Sequence, residues 1–332
     1  MKGSKSFCLG KNFATLILFL FIIILLIFFS LLIGPADVTV SSIFESLTHL
    51  GESQTHDLIL YDLRLPRILL AFLVGGALSI SGIVFQSLLV NPLADSFTTG
   101  VSAGAALGAS VAIILGLSAN SISLFALLFA LITLGLVFRL SITSGGLDPR
   151  NVILSGIIIS SILSAGLSIV KTLSGDSLSS LIFWLLGSFS GRSWGEVYLV
   201  LPYYIICLII IWKRHRELDI LTFGAEQADS LGVNVKKERL ILLVVASLLT
   251  AVSVSVSGII GFIGLVVPHI LRIVFGAKHK HLILYSVLFG GITLVLADDL
   301  VRSFAEFGEI PLGAVTSLIG GPFFCYLLMR KD

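Results

Sequence analysis

Three arginines in two distant segments are the side chains best suited to bind an anionic partner. Arg64 and Arg67 lie three residues apart, and Arg302 follows a long apolar segment near the end of the chain. A guanidinium group binds a carboxylate through two parallel hydrogen bonds, which suits recognition of an acidic protein surface. The same residues also fit a second interpretation, in which they reach from the membrane interface towards lipid headgroups.

Two acidic residues stand close to the third arginine. Asp298 and Asp299 precede Arg302 by four and three residues, a spacing at which side chains meet on one face of a helix. One interpretation is an ion pair between Asp298 and Arg302 that neutralises itself. The other is a proton or sodium site, because ionisable groups at membrane depth are costly and often functional.

A further polar segment, residues 213–238, begins and ends with basic residues. Between them, Gly224 and Gly232 bracket one or two predicted helical turns. The small or apolar residues predicted on one face of these turns are Ala225, Ala228 and Leu231. Such a short amphipathic helix could dock into a cleft of a cytosolic protein, or it could rest on lipid.

The sequence carries no catalytic or nucleotide-binding motif. It lacks H-E-x-x-H and G-x-S-x-G, and Lys11 is followed by Asn12 instead of the Ser or Thr that ends a Walker A loop. The cysteines, Cys8, Cys207 and Cys325, are odd in number and far apart, so neither a disulfide framework nor a zinc site is indicated. We therefore expect a protein that is not an enzyme and that binds no cofactor or metal of its own.

The elements that must position these side chains follow from the composition. The 332 residues are 56% hydrophobic and only 12% charged, against about 25% charged residues in ordinary soluble chains. The mean hydropathy is +1.09. With 21 basic and 19 acidic residues, the net charge of +2 leaves no basic face for nucleic acid. The composition indicates an all-α polytopic membrane protein.

Since a helix crosses the ~30 Å hydrocarbon layer with about 20 residues, the sequence predicts ten transmembrane helices. They are 13–33, 66–88, 98–117, 121–140, 151–173, 194–212, 239–258, 260–276, 282–301 and 312–329, of which the seventh and eighth could also form one long helix. The first is longer than the core of a signal peptide and is followed by Gly34-Pro35-Ala36-Asp37, so we expect it to be retained. The chain is then one domain, 1–332, with residues 1–12 before the bundle 13–329.

The distribution of lysine and arginine sets the predicted orientation. With the N-terminus inside, fifteen basic residues face the cytoplasm and five face outwards. Both termini and the segment 213–238 are then cytoplasmic, whereas Arg64, Arg67 and Arg302 lie at the outer surface.

Small residues recur at every fourth position in two spans, as in Gly100, Gly104 and Gly108, and we interpret them as packing devices. A longer-range match suggests an internal repeat with an offset of 176. Its members are Ser79–Gly82, Pro92 and Gly100 in the first copy and Ser255–Gly258, Pro268 and Gly276 in the second. Five spans separate the copies, so they would have inverted topology, with broken helices near Pro92 and Pro268. Chance agreement in a glycine-rich chain is the alternative.

In order along the chain, several segments resemble the FecCD-type permeases, the membrane subunits of ABC importers for iron-siderophores, haem and cobalamin. These segments are Leu63–Arg67, Gly75–Gly82, Asn91–Asp95, Gly100–Ala105, Trp184–Ser188, Gly224–Val233, Gly261–Arg272, Glu309–Gly313 and Gly320–Phe324. The resemblance covers the chain from about residue 60. Ser96 and Lys278 depart from the family pattern.

The resemblance implies a type II importer permease that acts as a dimer in the bacterial cytoplasmic membrane. Its partners would be two ATPase subunits, which bind ATP and Mg, and an extracytoplasmic substrate-binding protein. By the same resemblance, Arg64, Arg67 and Arg302 would receive glutamates of the binding protein. The residues that would seat in the ATPase are Gly224, Ala225, Ala228, Ser230, Leu231 and Gly232. The expected cargo is an iron(III)-siderophore, with haem or cobalamin as alternatives.

We expect the translocation path to be lined by small and apolar side chains from spans such as 66–88, 151–173 and 282–301. Two other classes of function stay open. A secondary transporter driven by an ion gradient would also have inverted repeats, but it needs ionisable groups at mid-membrane. A channel or scaffold would show no stimulation of an ATPase by a loaded binding protein.

Overall fold

The computed structural model describes residues 19, 21–36, 38–48, 54–143, 146–304 and 310–329. The helices, numbered in chain order, are α1 (Phe21–Leu32), α2 (Val40–Thr48), α3 (Gln54–Asp57), α4 (Leu65–Leu88), α5 (Val101–Ile114), α6 (Ala119–Ser141), α7 (Pro149–Leu173), α8 (Leu178–Leu185), α9 (Trp194–Lys213), α10 (His215–Leu221), α11 (Ala225–Ser230), α12 (Val235–Ser257), α13 (Ile263–Phe275), α14 (His279–Ser303) and α15 (Leu312–Met329). A π-helical segment, Leu58–Arg64, joins α3 to α4, and short 3-10 turns cover Ser96–Thr99 and Gly175–Ser177. Strands β1 (Ile142–Thr143) and β2 (Gly146–Leu147) pair antiparallel.

Each of the ten predicted spans contains one apolar helix, and the prediction of an all-α membrane protein is confirmed. Within the described residues, six of these helices are long and apolar enough to cross a membrane, while α1, α5, α13 and α15 are shorter. Residues 1–18, which include the start of the first predicted span, lie outside the described part of the chain.

The helix that carries Arg64 and Arg67 begins earlier than the predicted span 66–88. Residues 55–88 are helical without interruption, and the π-helical turns end at Arg64. The change from π to α pairing accommodates Pro66, which has no backbone N–H to donate. Both arginines therefore lie within a continuous helix, several residues after its start.

The seventh and eighth predicted spans are two helices, because the chain breaks between Gly258 and Phe262. Both residues have positive φ, +70° and +68°. A Cβ atom on Gly258 would lie 2.2 Å from the carbonyl oxygen of Trp184, so only glycine fits this close approach.

The helix break predicted near Pro92 is confirmed, because α4 ends at Leu88 and α5 begins at residue 101. The break predicted near Pro268 is wrong: this proline lies inside α13. Proline cannot donate to the carbonyl group four residues before it, which here belongs to Gly264. The side-chain amide of Gln86 donates to that carbonyl oxygen at 3.2 Å, so the helix continues through the proline.

The helix contacts fit two inverted copies, because the first helix of each copy packs against helices of the other copy. Helix α4 packs against α12, α13 and α14, and α12 packs in turn against α4, α5 and α6. The offset of 176 does not match equivalent positions, however. Ser79–Gly82 lies within α4, whereas Ser255–Gly258 spans the end of α12.

Helix α4 is the centre of the bundle, and α7 lies at its periphery. In the most apolar 18-residue stretch of the helix that contains α4, 83% of the residues are buried inside the chain. In the corresponding stretch of α7, 17% are buried. A path formed between two copies of the chain could therefore be lined by α7. The expectation that α4 lines it is wrong, because α4 is enclosed by its own neighbours.

Candidate functional site

The predicted ion pair of Asp298 exists, but its main partner is on another helix. Arg67 on α4 donates from Nε and Nη2 to Oδ2 and Oδ1 of Asp298 on α14, each at 2.8 Å. Arg302 Nε lies 3.3 Å from Oδ2 of the same carboxylate, as the spacing of four residues predicted. The Asp298 side chain is 2% exposed and has both oxygens engaged by cations.

Arg302 joins the same cluster to the end of α1. Its Nη1 donates to the carbonyl oxygen of Ile33 at 2.8 Å. Its Nη2 donates to the carboxylate of Asp299 and, at 2.6 Å, to the hydroxyl of Ser30, which itself donates to Asp299 at 2.6 Å. The two carboxylates are thus neutralised by Arg67 and Arg302.

Arg64 completes the closure of α1 on to the bundle. It donates to the carbonyl oxygens of Leu31 and Ala36. The last carbonyl groups of a helix have no partner within the helix and carry partial negative charge, so a cation at this place is favourable. No local pattern indicates this role, because Leu31 and Arg64 are more than thirty residues apart.

These contacts change how the predicted docking residues are understood. Arg64 and Arg302 are each 6% exposed and are held by groups of the chain itself. Their structural role is to fasten α1 to α4 and α14, and docking stays a prediction for both. Arg67 is more accessible, with a side chain that is 18% exposed.

A cleft of about 220 Å³ opens beside the cluster, and we name it the arginine cleft. Its lining residues are Gly34, Pro35, Ala36, Ile59, Leu63, Arg64, Arg67, Phe189, Gly191, Arg192 and Arg302. Four guanidinium groups therefore border one cavity. Among the described residues, the three carboxylates that pair with them are Asp298, Asp299 and Glu196, so this group of side chains retains one excess positive charge.

Arg192 is the member of this cleft that sequence reasoning did not single out. It lies between α8 and α9, and within the described part of the chain its carboxylate contact is a loose one, 3.8 Å from Nη1 to Glu196. Its buried Nε has no hydrogen-bond partner among the described residues. Burial lowers the pKa of this guanidinium from its usual value, and the nearby Glu196 carboxylate opposes that shift. No motif surrounds Arg192, so only the fold could place it beside Arg64.

The predicted coupling segment lies at the opposite end of α4. Helix α11 covers Ala225–Ser230 and is bracketed, as predicted, by Gly224 and Gly232, whose φ angles are +106° and +82°. Phe223 and Leu231 flank it and are 67% and 66% exposed. Large apolar side chains this exposed outside the membrane helices are typical of a surface that a protein partner covers.

One residue of this segment does not face outwards. Ala228 is fully buried, whereas Ala225, Ser230 and Leu231 are exposed. The prediction that Ala225, Ala228 and Leu231 share one face is therefore wrong. The helix ends at Ser230, so Leu231 follows it in a different direction, and Ala228 packs against the body of the chain.

The predicted packing glycines are confirmed as sites of close helix contact. A Cβ atom on Gly104 would lie 2.2 Å from Oγ1 of Thr133, and one on Gly108 would lie 2.4 Å from the carbonyl oxygen of Phe125. Gly100 has a φ of +73° at the start of α5.

Within the described residues, no three His, Cys, Asp or Glu side chains are grouped so that they could hold a metal ion.

Comparison with known proteins identifies this arrangement. Residues 22–330 match the model of the FecCD transport family. The chain belongs to that family. The match begins well before residue 60, where the resemblance in the sequence had become recognisable, and it includes α1.

Relatives and a solved structure agree with this assignment. An uncharacterized ABC transporter permease, YvrB of Bacillus subtilis, is 41% identical over 311 residues, which cover 90% of this chain and 88% of that protein. The hemin transport permease HmuU of Yersinia pestis is 36% identical over 327 residues, which cover 94% of this chain and 95% of that protein. A solved ABC transporter structure described as metal-chelate type and inward-facing has a TM-score of 0.85 at 32% identity, covering 97% of this chain and 99% of that one.

The FecCD chain is therefore a permease subunit of an ABC importer and an integral membrane protein. The arginine cleft and the α11 segment lie at opposite ends of α4. Arg64 precedes α4, whereas α10, which leads into α11, contacts α4 at its other end.

Proposed function

We propose that this chain is the permease of an importer for iron(III)-siderophores. It works as a dimer with two ATPase subunits, which bind ATP and Mg, and with an extracytoplasmic binding protein. The observation that carries the proposal is the pairing of two unlike surfaces on one FecCD chain. One is a cationic cleft at the arginine end, and the other is an exposed apolar segment around α11.

The excess of basic residues supports the orientation of this permease. The side that carries α11 has fifteen lysines and arginines, and the opposite side has five. By the positive-inside tendency, the side with fifteen is the cytoplasmic one. The arginine cleft then faces the compartment from which the cargo arrives, and both termini are cytoplasmic.

A binding protein docks through carboxylates that enter the arginine cleft. Arg192 is the most available cation, since its contact with Glu196 is loose, whereas Arg67 is partly exposed but also binds Asp298. The guanidinium groups of Arg64 and Arg302 already bind carbonyl oxygens of the chain. Arg64 and Arg302 add to the positive potential of the cleft and hold its wall. Paired opposite charges steer the partner to the correct register.

The ATPase subunit binds the α11 segment on the cytoplasmic side. Phe223 and Leu231 provide apolar contact area, and the acidic Glu226 and Asp229 between them are also exposed. Helix α10 connects this surface to the end of α4 and to α14. ATP-driven movement of the loop is thereby passed to the helix bundle.

The nature of the cargo is supported by the relatives. One solved neighbour is described as a transporter of metal-chelate type, and one relative is named for hemin transport. Helix α7 offers exposed isoleucines along its outer side, such as Ile157, Ile158 and Ile162, which suits a path of low affinity for a large chelate. Haem or cobalamin is the alternative cargo for the same machinery.

An ion-driven secondary transporter is the alternative of another class. Its best coupling site would be Asp298 and Asp299, but both carboxylates are bound by Arg67 and Arg302. Carboxylates whose oxygens are already engaged by guanidinium groups leave little room for sodium. The observed cluster therefore favours transport driven by a partner ATPase.

Uptake into proteoliposomes tests the proposal. The chain is reconstituted with its ATPase and its loaded binding protein, and four probes are offered: a ferric hydroxamate, a ferric catecholate, haem and cobalamin. We expect uptake of a ferric siderophore that requires ATP and the binding protein and that resists an uncoupler. Uptake that persists without the ATPase and collapses with an uncoupler would contradict the proposal, and uptake of haem or cobalamin alone would change the cargo.

A further inference from the structure

Four polar side chains from four helices meet at the cytoplasmic end of α4. Ser87 Oγ lies 2.6 Å from Nε2 of His279, and Nδ1 of His279 lies 2.7 Å from Oδ1 of Asp219. Arg272 Nη2 donates to Ser87 Oγ at 3.1 Å. We name this chain of contacts, Arg272–Ser87–His279–Asp219, the relay.

For a neutral imidazole, the donors and acceptors of the relay allow one consistent arrangement. The Asp219 carboxylate accepts from Nδ1, so Nε2 of His279 accepts from the Ser87 hydroxyl, whose oxygen accepts in turn from Arg272. Nε2 is then unprotonated, and Nδ1 carries the proton that it donates to Asp219. The same Oδ1 atom also accepts the backbone N–H of His279 at 2.9 Å. Each contact thus depends on the proton placement of the next.

The order of side chains resembles a hydrolytic Ser-His-Asp triad, but the surroundings do not permit hydrolysis. Ser87 is 4% exposed and His279 is 2% exposed, so no substrate reaches the hydroxyl group. The Ser87 oxygen is also occupied by the Arg272 guanidinium. A nucleophile needs an open approach for its substrate, and this buried serine has none.

The relay connects elements that are far apart in sequence but adjacent in the transport cycle. Arg272 belongs to α13, Ser87 to α4, His279 to α14 and Asp219 to α10. Helix α10 leads directly into Gly224 and α11, the segment proposed to bind the ATPase. Asp219 therefore stands between the ATPase surface and three membrane helices.

Its location makes the relay a stiff connection. Ser87 and His279 are buried, whereas the Asp219 side chain is 36% exposed. Hydrogen bonds in a buried, low-dielectric site are stronger than in water, and a donor left unpaired there is costly. On the Asp219 side, Leu218 and Leu221 of α10 are also fully buried and hold the same helix. A shift of α10 must then either carry His279 and Ser87 with it or break these bonds.

We propose that the relay transmits movement of the ATPase-binding segment to α4, α13 and α14, and that Ser87, His279 and Asp219 are positioning residues for transport. The inference rests on the proposed function, because it assigns a task within the ATP-driven cycle. A broken relay leaves the ATPase bound and active but separates its cycle from the opening of the path.

The test compares the amount of cargo taken up per ATP hydrolysed. The full complex is reconstituted with Ser87→Ala or Asp219→Ala, and the probe is whichever of the ferric hydroxamate, ferric catecholate, haem and cobalamin the wild-type chain transports. We expect assembly with the ATPase and basal hydrolysis to persist while uptake per ATP falls at least tenfold. Ser87→Thr and Asp219→Asn keep the hydroxyl and the Oδ1 acceptor, and they should restore most of the coupling.

A matched control comes from the same helix. His281 stacks on Tyr285 and lies two residues from His279, outside the relay. His281→Ala should leave uptake per ATP within twofold of the wild type. Wild-type coupling in both Ser87→Ala and Asp219→Ala would overturn the relay while leaving the proposed function intact. Absence of ATP-driven uptake in the wild-type complex would overturn the proposed function, and the relay's task with it.

Discussion

The two ends of the α4–α14 pair differ in how their polar side chains interact. At the arginine end, Arg67, Arg302, Asp298 and Asp299 form charged pairs beside an open cleft. At the other end, which we propose faces the cytoplasm, the relay uses hydrogen bonds through Ser87 and His279, which are almost completely buried. Between them, Gly75 and Gly290 bring the two helix backbones into direct contact.

The difference lies in how much charge each end leaves uncompensated. The arginine end has more guanidinium groups than carboxylates, and its field extends into a cavity of about 220 Å³. In the relay, the Arg272 and Asp219 charges are opposite, and Ser87 and His279 between them are buried. A charged, open network attracts a partner from a distance, whereas a neutral, closed one fixes the relative positions of helices. We expect mutations to separate these two behaviours.

The largest effect is expected from removing the shared carboxylate at the arginine end. Asp298→Ala leaves Arg67 and part of Arg302 without a counter-charge in a buried site, which costs about 3–5 kcal/mol when one member of a buried pair is lost. The midpoint of thermal unfolding in detergent should fall clearly. Asp176→Ala, at an exposed residue between α7 and α8, is the control and should change the midpoint little. Equal midpoints for the two variants would contradict the role of Asp298.

A smaller loss is expected in the middle of the pair. A Cβ atom on Gly75 would lie 2.2 Å from the carbonyl oxygen of Gly290, so Gly75→Ala forces α4 and α14 apart. Overpacking of this kind costs about 1–3 kcal/mol. The control is Gly135→Ala on α6, where no atom lies within 4 Å of the added carbon. If thermal unfolding shows both variants equally stable, the close approach of the two helices is not required.

The sequence predicted the elements well, because hydropathy reports each helix on its own. Ten apolar segments, the break after Leu88 and the glycines around α11 were all readable from local composition. The predictions that failed concern side chains whose role depends on a distant neighbour. Pro268 was expected to break a helix, since nothing local shows that Gln86 donates to the carbonyl group that the proline leaves free.

The same limit applies to the candidate sites. Arg64, Arg67 and Arg302 were selected from motifs, but their burial against the end of α1 follows from packing across the bundle. Arg192 and His279 belong to no motif that suggests a partner. Arg192 meets the cleft, and His279 meets Ser87, only after α4, α9 and α14 are assembled. Spacing along the chain does not encode such contacts.

The apolar surface beside the relay gives a sharper test of the cytoplasmic end. Phe223→Ser removes a side chain that is 67% exposed, so the free energy of unfolding of the chain should stay nearly unchanged. If the ATPase covers this residue, losing the contact weakens assembly by about tenfold, equivalent to about 1.4 kcal/mol. Titration of the ATPase subunit against the reconstituted chain measures the effect. Tyr198→Ser, at a residue 66% exposed near the start of α9 at the other end, is the control and should leave the ATPase affinity unchanged.

The smallest effect is expected from the cation that completes the arginine cleft. Arg192→Gln keeps a polar side chain of similar length but removes the charge, so the stability of the chain should change little. Binding of the extracytoplasmic protein should weaken a few-fold, mainly through slower association, because a charge near a docking surface acts through steering. The difference from wild type should shrink as salt is raised, since the Debye length falls from about 10 Å at 0.1 M to about 3 Å at 1 M.

Surface-plasmon measurements of association at several salt concentrations separate this effect from misfolding. Lys171→Gln, at an exposed residue at the end of α7, removes the same charge on the same side of the membrane but outside the cleft, and it should alter association less. Equal slowing by Arg192→Gln and Lys171→Gln would mean that net charge alone attracts the partner. A slower rate for Arg192→Gln alone would localise the attraction to the arginine cleft, and it would separate the charged end of the α4–α14 pair from the neutral one.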